Sequence, residues 1–180
     1  MTVTLLISEE QIKELTGINE GVDINLLRPY IKTAQEMRIE PILGTELYDY
    51  ILENRDALTG VYSTLYTEHI QPTLSWYAIV EALPTIMLRV GNGGVYSNAP
   101  TNGNQATTSQ FSYIEQNYKS KADYYASRMS DYLCNYSENF PELNTNTLDD
   151  LKPSPVSSNW GFGLEPTNPT NIVRYAQKRH

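Results

Sequence analysis

Residues 23–52, DINLLRPYIKTAQEMRIEPILGTELYDYIL, bring apolar side chains back every three or four positions on both sides of a Pro-Ile-Leu-Gly corner. That spacing fits two amphipathic helices and fits no strand. Ile24, Leu27, Ile31 and Ala34 share one face, and Leu26, Tyr30 and Met37 widen it. Asp23 is placed to cap the first helix, since its carboxylate can accept from first-turn amides. Pro41 is expected to stop that helix, Gly44 to permit the turn and Thr45 to cap the second helix. The second helix then presents Leu47, Tyr48, Ile51 and Leu52. No catalytic group converges on the corner.

Helical patterning continues on either side. Ser8 and Gln11 have the spacing of a capping box, which predicts a short helix over 8–15. Residues 62–90 are apolar over a broad face (Trp76, Ile79, Val80, Leu83, Ile86, Met87, Val90) and predict a central core helix that Pro72 and Pro84 kink or split. From Gly91 to Ser109 glycine, asparagine and threonine dominate, so a helix cannot persist there, and Val95-Tyr96 has room for a brief strand. This glycine-rich run follows a helix instead of opening one and has no lysine. It therefore reads as a C-cap and loop and not as a phosphate cradle.

Phe111, Ile114, Tyr118, Ala122, Tyr125, Met129, Tyr132 and Tyr136 then follow one another at steps of three and four. They predict one long helix with an aromatic-rich seam, suited to the core and, at some positions, to another subunit. Beyond Phe140 five prolines (141, 153, 155, 166 and 169) lie among Asn, Thr and Ser, a composition that cannot build its own core. Within this segment Trp160 and Phe162, in NWGFG, are bulky plugs for a partner's pocket. The final IVRYAQKRH turns basic and supplies Arg174 and Tyr175 as further candidate contacts. The domain reading is a bundle over 1–140 with an insertion at 91–109, followed by a partner-binding arm over 141–180.

Chemistry is sparsely provided. Cys134 is the single cysteine, which rules out an internal disulfide or a multi-cysteine metal site, and it reads as a small packed residue. His69 and His180 are far apart in sequence, and His69 reads as a surface or boundary residue. No Walker A, nucleophile elbow, zinc spacing or dinucleotide fingerprint occurs. The chain is expected not to be an enzyme and to carry no cofactor or metal. No run approaches the ~20 apolar residues of a membrane helix, and MTVTLLISEE lacks the basic start and apolar core of a signal peptide. The net charge of −8 argues against gripping nucleic acid over the whole surface, because counterion release needs clustered Lys and Arg. An acidic surface instead repels any polyanion that must pass it, and equally serves simple solubility.

The stretch LLRPYIKTAQEMRIEPILGTELYDYIL, preceded by ISEEQIKEL, resembles the head–tail connector (adaptor, or head-completion) proteins of tailed bacteriophages. The likeness is nearest to crAss-like phages of Bacteroidetes-type hosts and covers residues 5–138. It implies an all-α bundle of four to five helices with a loop or hairpin inserted between the last two long helices. It further implies a subunit that forms a ring with itself, a dodecamer beneath the portal protein, with DNA passing through and the C-terminal arm reaching the portal or adjacent subunits. A virion protein made in the host cytoplasm is the corresponding location. The alternatives are a non-enzymatic soluble binding module and a second-tier tail-completion ring.

Overall fold

The computed structural model describes residues 4–18, 22, 24–91, 94–97, 107–144 and 153. Among the described residues the fold is an all-α bundle of five helical rods with one short β-hairpin. In chain order these are α1 (Glu9–Thr16), a rod made of α2 (Ile24–Ala34), a π turn (Gln35–Ile39) and α3 (Glu40–Leu43), and α4 (Thr45–Asn54). A second compound rod follows, made of α5 (Gly60–Thr64), a π turn (Leu65–Ile70) and α6 (Gln71–Met87). Strands β1 (Leu88–Gly91) and β2 (Gly94–Ser97) lead to α7 (Thr108–Asn135).

The two π turns overturn the expected role of proline. Pro41 does not stop the first rod, and Pro72 does not split the second. Just before each proline the amide reaches one residue further back than in an α-helix: Glu40 N–H donates to the Gln35 carbonyl, and Gln71 N–H to that of Tyr66. The wider turn makes room where a proline ring would crowd the preceding turn. Pro84 lies in the last turn of α6, which ends as Leu88 N–H donates to the Pro84 carbonyl, so it causes no break. The first rod ends at Gly44, whose φ of 78° and ψ of 157° suit only glycine. Gly44, not Thr45, occupies the N-cap of α4, and Thr45 is its first helical residue. Asp23 lies outside the described residues.

A π turn adds one residue to the circuit, and the buried face moves with it. The buried apolar positions step by five, from Ala34 to Ile39 and from Leu65 to Ile70, with the polar Gln35 and His69 buried between them. Met37, placed on the apolar face by strict helical spacing, is consequently swung out and 58% exposed. Ser8 and Gln11 form the predicted capping box, with Gln11 N–H donating to Ser8 Oγ and Ser8 N–H to Gln11 Oε1. A second box, Thr107 with Gln110, starts α7.

Helix α6 is the centre of the bundle. Every residue from Thr73 to Ile79 is buried, so this segment has no solvent face. It packs against α2 and α7. Tyr30 shares a hydrogen bond with Thr85, and Arg38 pairs with Glu81 at 3.1 Å, tying the first rod to it. Burying Leu74, Ile79 or Leu83 stabilises the fold by about 1.5–3 kcal/mol each. On α7 the seam centres on Ala122, Ala126, Met129 and Leu133, with Tyr118, Tyr125 and Tyr132 half-buried beside it. Small residues at the centre let α7 approach α6 closely, while Ile114 and Tyr136 at the seam's ends are exposed. The helix reaches Met87 and not Val90, because β1 pairs antiparallel with β2, Val90 opposite Val95 and Gly91 opposite Gly94.

Candidate partner-binding surfaces

Three surfaces can carry partner chemistry. The first lies where α7 ends and the chain turns back onto the bundle. After α7, Ser137–Asn139 and Pro141–Asn144 form two 3-10 turns, and between them Phe140 is fully buried. Its ring meets Tyr62 edge-on at 5.1 Å and Tyr132 at 6.2 Å. Tyr62 also lies 4.9 Å from Tyr50, and Tyr132 lies 4.7 Å from Tyr136. Tyr62 Oη donates to the Glu142 carboxylate, at 2.9 and 3.0 Å from its two oxygens. Burial, then this bond to an anion, pushes the Tyr62 hydroxyl up to about 12. Leu143 packs on the core as well, so the packed region runs past the expected boundary at 140.

His69 belongs to the same belt and is not a surface residue. It is 6% exposed, stacks on Tyr132 at 4.4 Å, and its Nδ1 has no hydrogen-bond partner. Burial first, then the Arg128 guanidinium, holds its pKa below the ordinary imidazole value. Cys134 is exposed and not packed: α7 turns it away from the seam.

The second surface is the outward face of α7. Tyr113 is 71% exposed and Tyr124 59% exposed. Three helical turns separate them, roughly 16 Å, so both hydroxyls stand on one stripe opposite the core seam. Arg128 lies over the Tyr124 ring at 6.0 Å. The inner side of the helix is clipped to α6 by Tyr77 Oη donating to Asp123 at 2.8 Å and by Trp76 against Tyr118 at 5.4 Å, with Lys121 Nζ over the Trp76 ring at 4.4 Å. The Tyr77 hydroxyl is pushed far up, by burial and by Asp123, and stays a donor at any working pH.

The third is an open groove of about 870 Å³ at the N-terminal segment, lined by residues 4–8 together with Arg28, Arg55 and Tyr66 among others. Side chains from separate elements hold this extended segment. Leu6 N–H donates to Gln35 Oε1 at 2.8 Å, while Arg55 and Tyr66 donate to the carbonyls of Leu5 and Leu6. Gln35 Nε2 donates in turn to Tyr48 Oη at 3.0 Å. The polar, buried Gln35 is thus satisfied on both sides of its amide.

The predicted contacts Trp160, Phe162, Arg174 and Tyr175, and most of the expected arm over 141–180, lie outside the described residues. Sequence reasoning missed Phe140 as an anchor, although a large aromatic directly before Pro141 is a usable signal. It also missed Tyr113 and Tyr124, whose shared stripe off the seam was readable in the spacing. The groove had no such signal, because it depends on how separate rods come together. Among the described residues no helix is long and apolar enough to cross a membrane.

No curated protein and no solved structure matches this sequence. One family model does, over residues 39–148, which runs from the end of the first π turn through α7 and the Phe140 anchor. That is more than half of the sequence, and the chain belongs to DUF6712, a family of unknown function.

Proposed function

We propose that this chain is a non-enzymatic structural virion protein, a ring-forming head–tail connector subunit that joins the portal to the tail and lets DNA pass through its lumen. The observation that carries the reading is the outward stripe of α7. Two large aromatic side chains, Tyr113 and Tyr124, stand exposed on one helix face opposite the core. Tyrosine is enriched at interfaces because it buries a ring and keeps a hydroxyl for a partner or water. The helix–corner–helix stretch that resembles the connector proteins also folds into two rods joined at Gly44.

In this reading α7 packs against the neighbouring copy around a ring of about a dozen subunits. The acidic surface, at a net charge of −8, keeps the passing DNA from adhering. The arm beyond Asn144 reaches the portal or adjacent connector rings and uses Trp160, Phe162, Arg174 and Tyr175 as its contacts. Ordering it costs roughly 1–2 kcal/mol per residue in backbone entropy, which an interface repeated around a ring can offset. Assembly takes place in the host cytoplasm, and the final location is the head–tail interface of the virion.

The test is a Tyr113→Ser/Tyr124→Ser double variant compared with the unchanged protein by mass photometry, with and without a portal ring. The variant should keep its helical circular dichroism and lose higher-order assembly. Equal assembly by both proteins would remove α7 from the interface. The open groove favours a second reading, a soluble binding module that takes an extended peptide against residues 4–8 and Arg55. A strict monomer that binds such a peptide and ignores the portal would select it.

A further inference from the structure

His69 stands in the path between the helical core and the C-terminal anchor. It sits in the second π turn, buried, with its ring 4.4 Å from that of Tyr132 and only 28° from parallel. Tyr132 in turn contacts Phe140, the fully buried residue that seats the outgoing chain, and its hydroxyl donates to the Val61 carbonyl of α5 at 3.4 Å. One imidazole therefore supports a contact path through α7 to the anchor.

The surroundings suit a neutral ring and oppose a charged one. A neutral imidazole leaves one nitrogen as a bare acceptor, whereas the imidazolium makes both nitrogens donors. Here Nδ1 meets no acceptor, and an unpaired charged donor is far costlier to bury than an unpaired lone pair. From α7 the facing groups are the Arg128 guanidinium and the Tyr132 ring. From the π turn itself comes the Glu68 carboxylate, whose attraction is outweighed by burial and Arg128.

We propose that His69 is a proton-operated latch on the C-terminal anchor: neutral, its ring holds Tyr132 and Phe140 seated, and protonated, it unseats them. The turn over 141–144, which follows Phe140, is then held at neutral pH and freed in acid. The proposal does not depend on the connector reading.

The sequence suits a direct test on the full-length protein. It contains two histidines and three phenylalanines (Phe111, Phe140, Phe162), so imidazole signals and fluorophenylalanine signals are both easily assigned. As pH falls below the 6.5 of an unperturbed imidazole, His69 should protonate at a lower pH than it does in denaturant. The Phe140 fluorine signal should move from its buried position toward the unfolded one with the same midpoint, while that of Phe111 stays in place. A His69→Tyr variant, which keeps an aromatic face for Tyr132 and does not titrate in acid, should lose the Phe140 shift; His69→Asn serves if that variant does not fold. The proposal is overturned if His69 titrates at or above its value in denaturant. It is equally overturned if the Phe140 signal ignores pH, or if it moves alike in the unchanged protein and a folded variant.

Discussion

Ending the chain at Asn139 instead of Asn144 should destabilise the bundle severely, although only five residues separate the two ends. The shorter chain loses Phe140, Glu142 and Leu143. Phe140 is fully buried, and removing a buried phenylalanine side chain costs about 3–5 kcal/mol, including its edge-on contact with Tyr62. Losing the half-exposed Tyr62–Glu142 hydrogen bond adds about 1 kcal/mol. The sum, about 4–6 kcal/mol, is a large part of the roughly 5–15 kcal/mol that holds a domain folded. With a urea slope of about 2 kcal/mol per molar, the midpoint should fall by about 2–3 M. Urea denaturation followed by helical circular dichroism reads this directly. Phe140→Ala in the full-length chain isolates the ring and should account for most of the loss. If the two truncations unfold at the same urea concentration, Phe140 is not part of the core, and the account of the junction is wrong.

Other perturbations probe separate parts of the structure. Gln35→Leu strands both the Leu6 amide and the Tyr48 hydroxyl and should cost about 2–3 kcal/mol, against about 1 kcal/mol for Tyr48→Phe. Amide exchange at Leu6 should accelerate only in the first of these, and a neutral Gln35→Leu would disprove the network. Deleting exposed Met37 leaves Ile39 four positions after Ala34 but closes the π turn on Pro41. Thermal melts should show a loss of about 3 kcal/mol that Pro41→Ala largely restores in the deletion background. Burial, then Asp49 and Glu36, raise the Glu40 pKa above its ordinary 4.5, so its charged form opposes folding. Stability contributed at this site is therefore greatest in acid and falls as pH rises past 4.5. Glu40→Gln should raise the melting temperature at pH 7, and the gain should vanish below the ordinary value; a gain that persists in acid would contradict the cause given.

Much of the fold was legible because helical spacing is a local property. The capping box at Ser8, the central apolar rod and the long α7 seam all follow from three-and-four steps in the sequence. The failures share one physical origin. Strict helical spacing places Met37 inward and leaves Gln35 unremarked, whereas the π turn exposes the first and buries the second. The usable signal was a proline two residues after an apolar position inside a continuing helical pattern, in RIEP and again in HIQP. His69 was misjudged for the same reason, since its burial depends on the second π turn rotating it toward Tyr132. The aromatic belt and the N-terminal groove were beyond such reading, because they join residues up to 80 positions apart, as in Tyr62 and Glu142.

The central claim, assembly into a connector ring, is tested most directly by mass photometry of the full-length protein alone and mixed with a candidate portal ring. The account predicts a discrete many-copy ring, or a stoichiometric complex once the portal templates it. A protein that stays monomeric and ignores the portal at every concentration would contradict it.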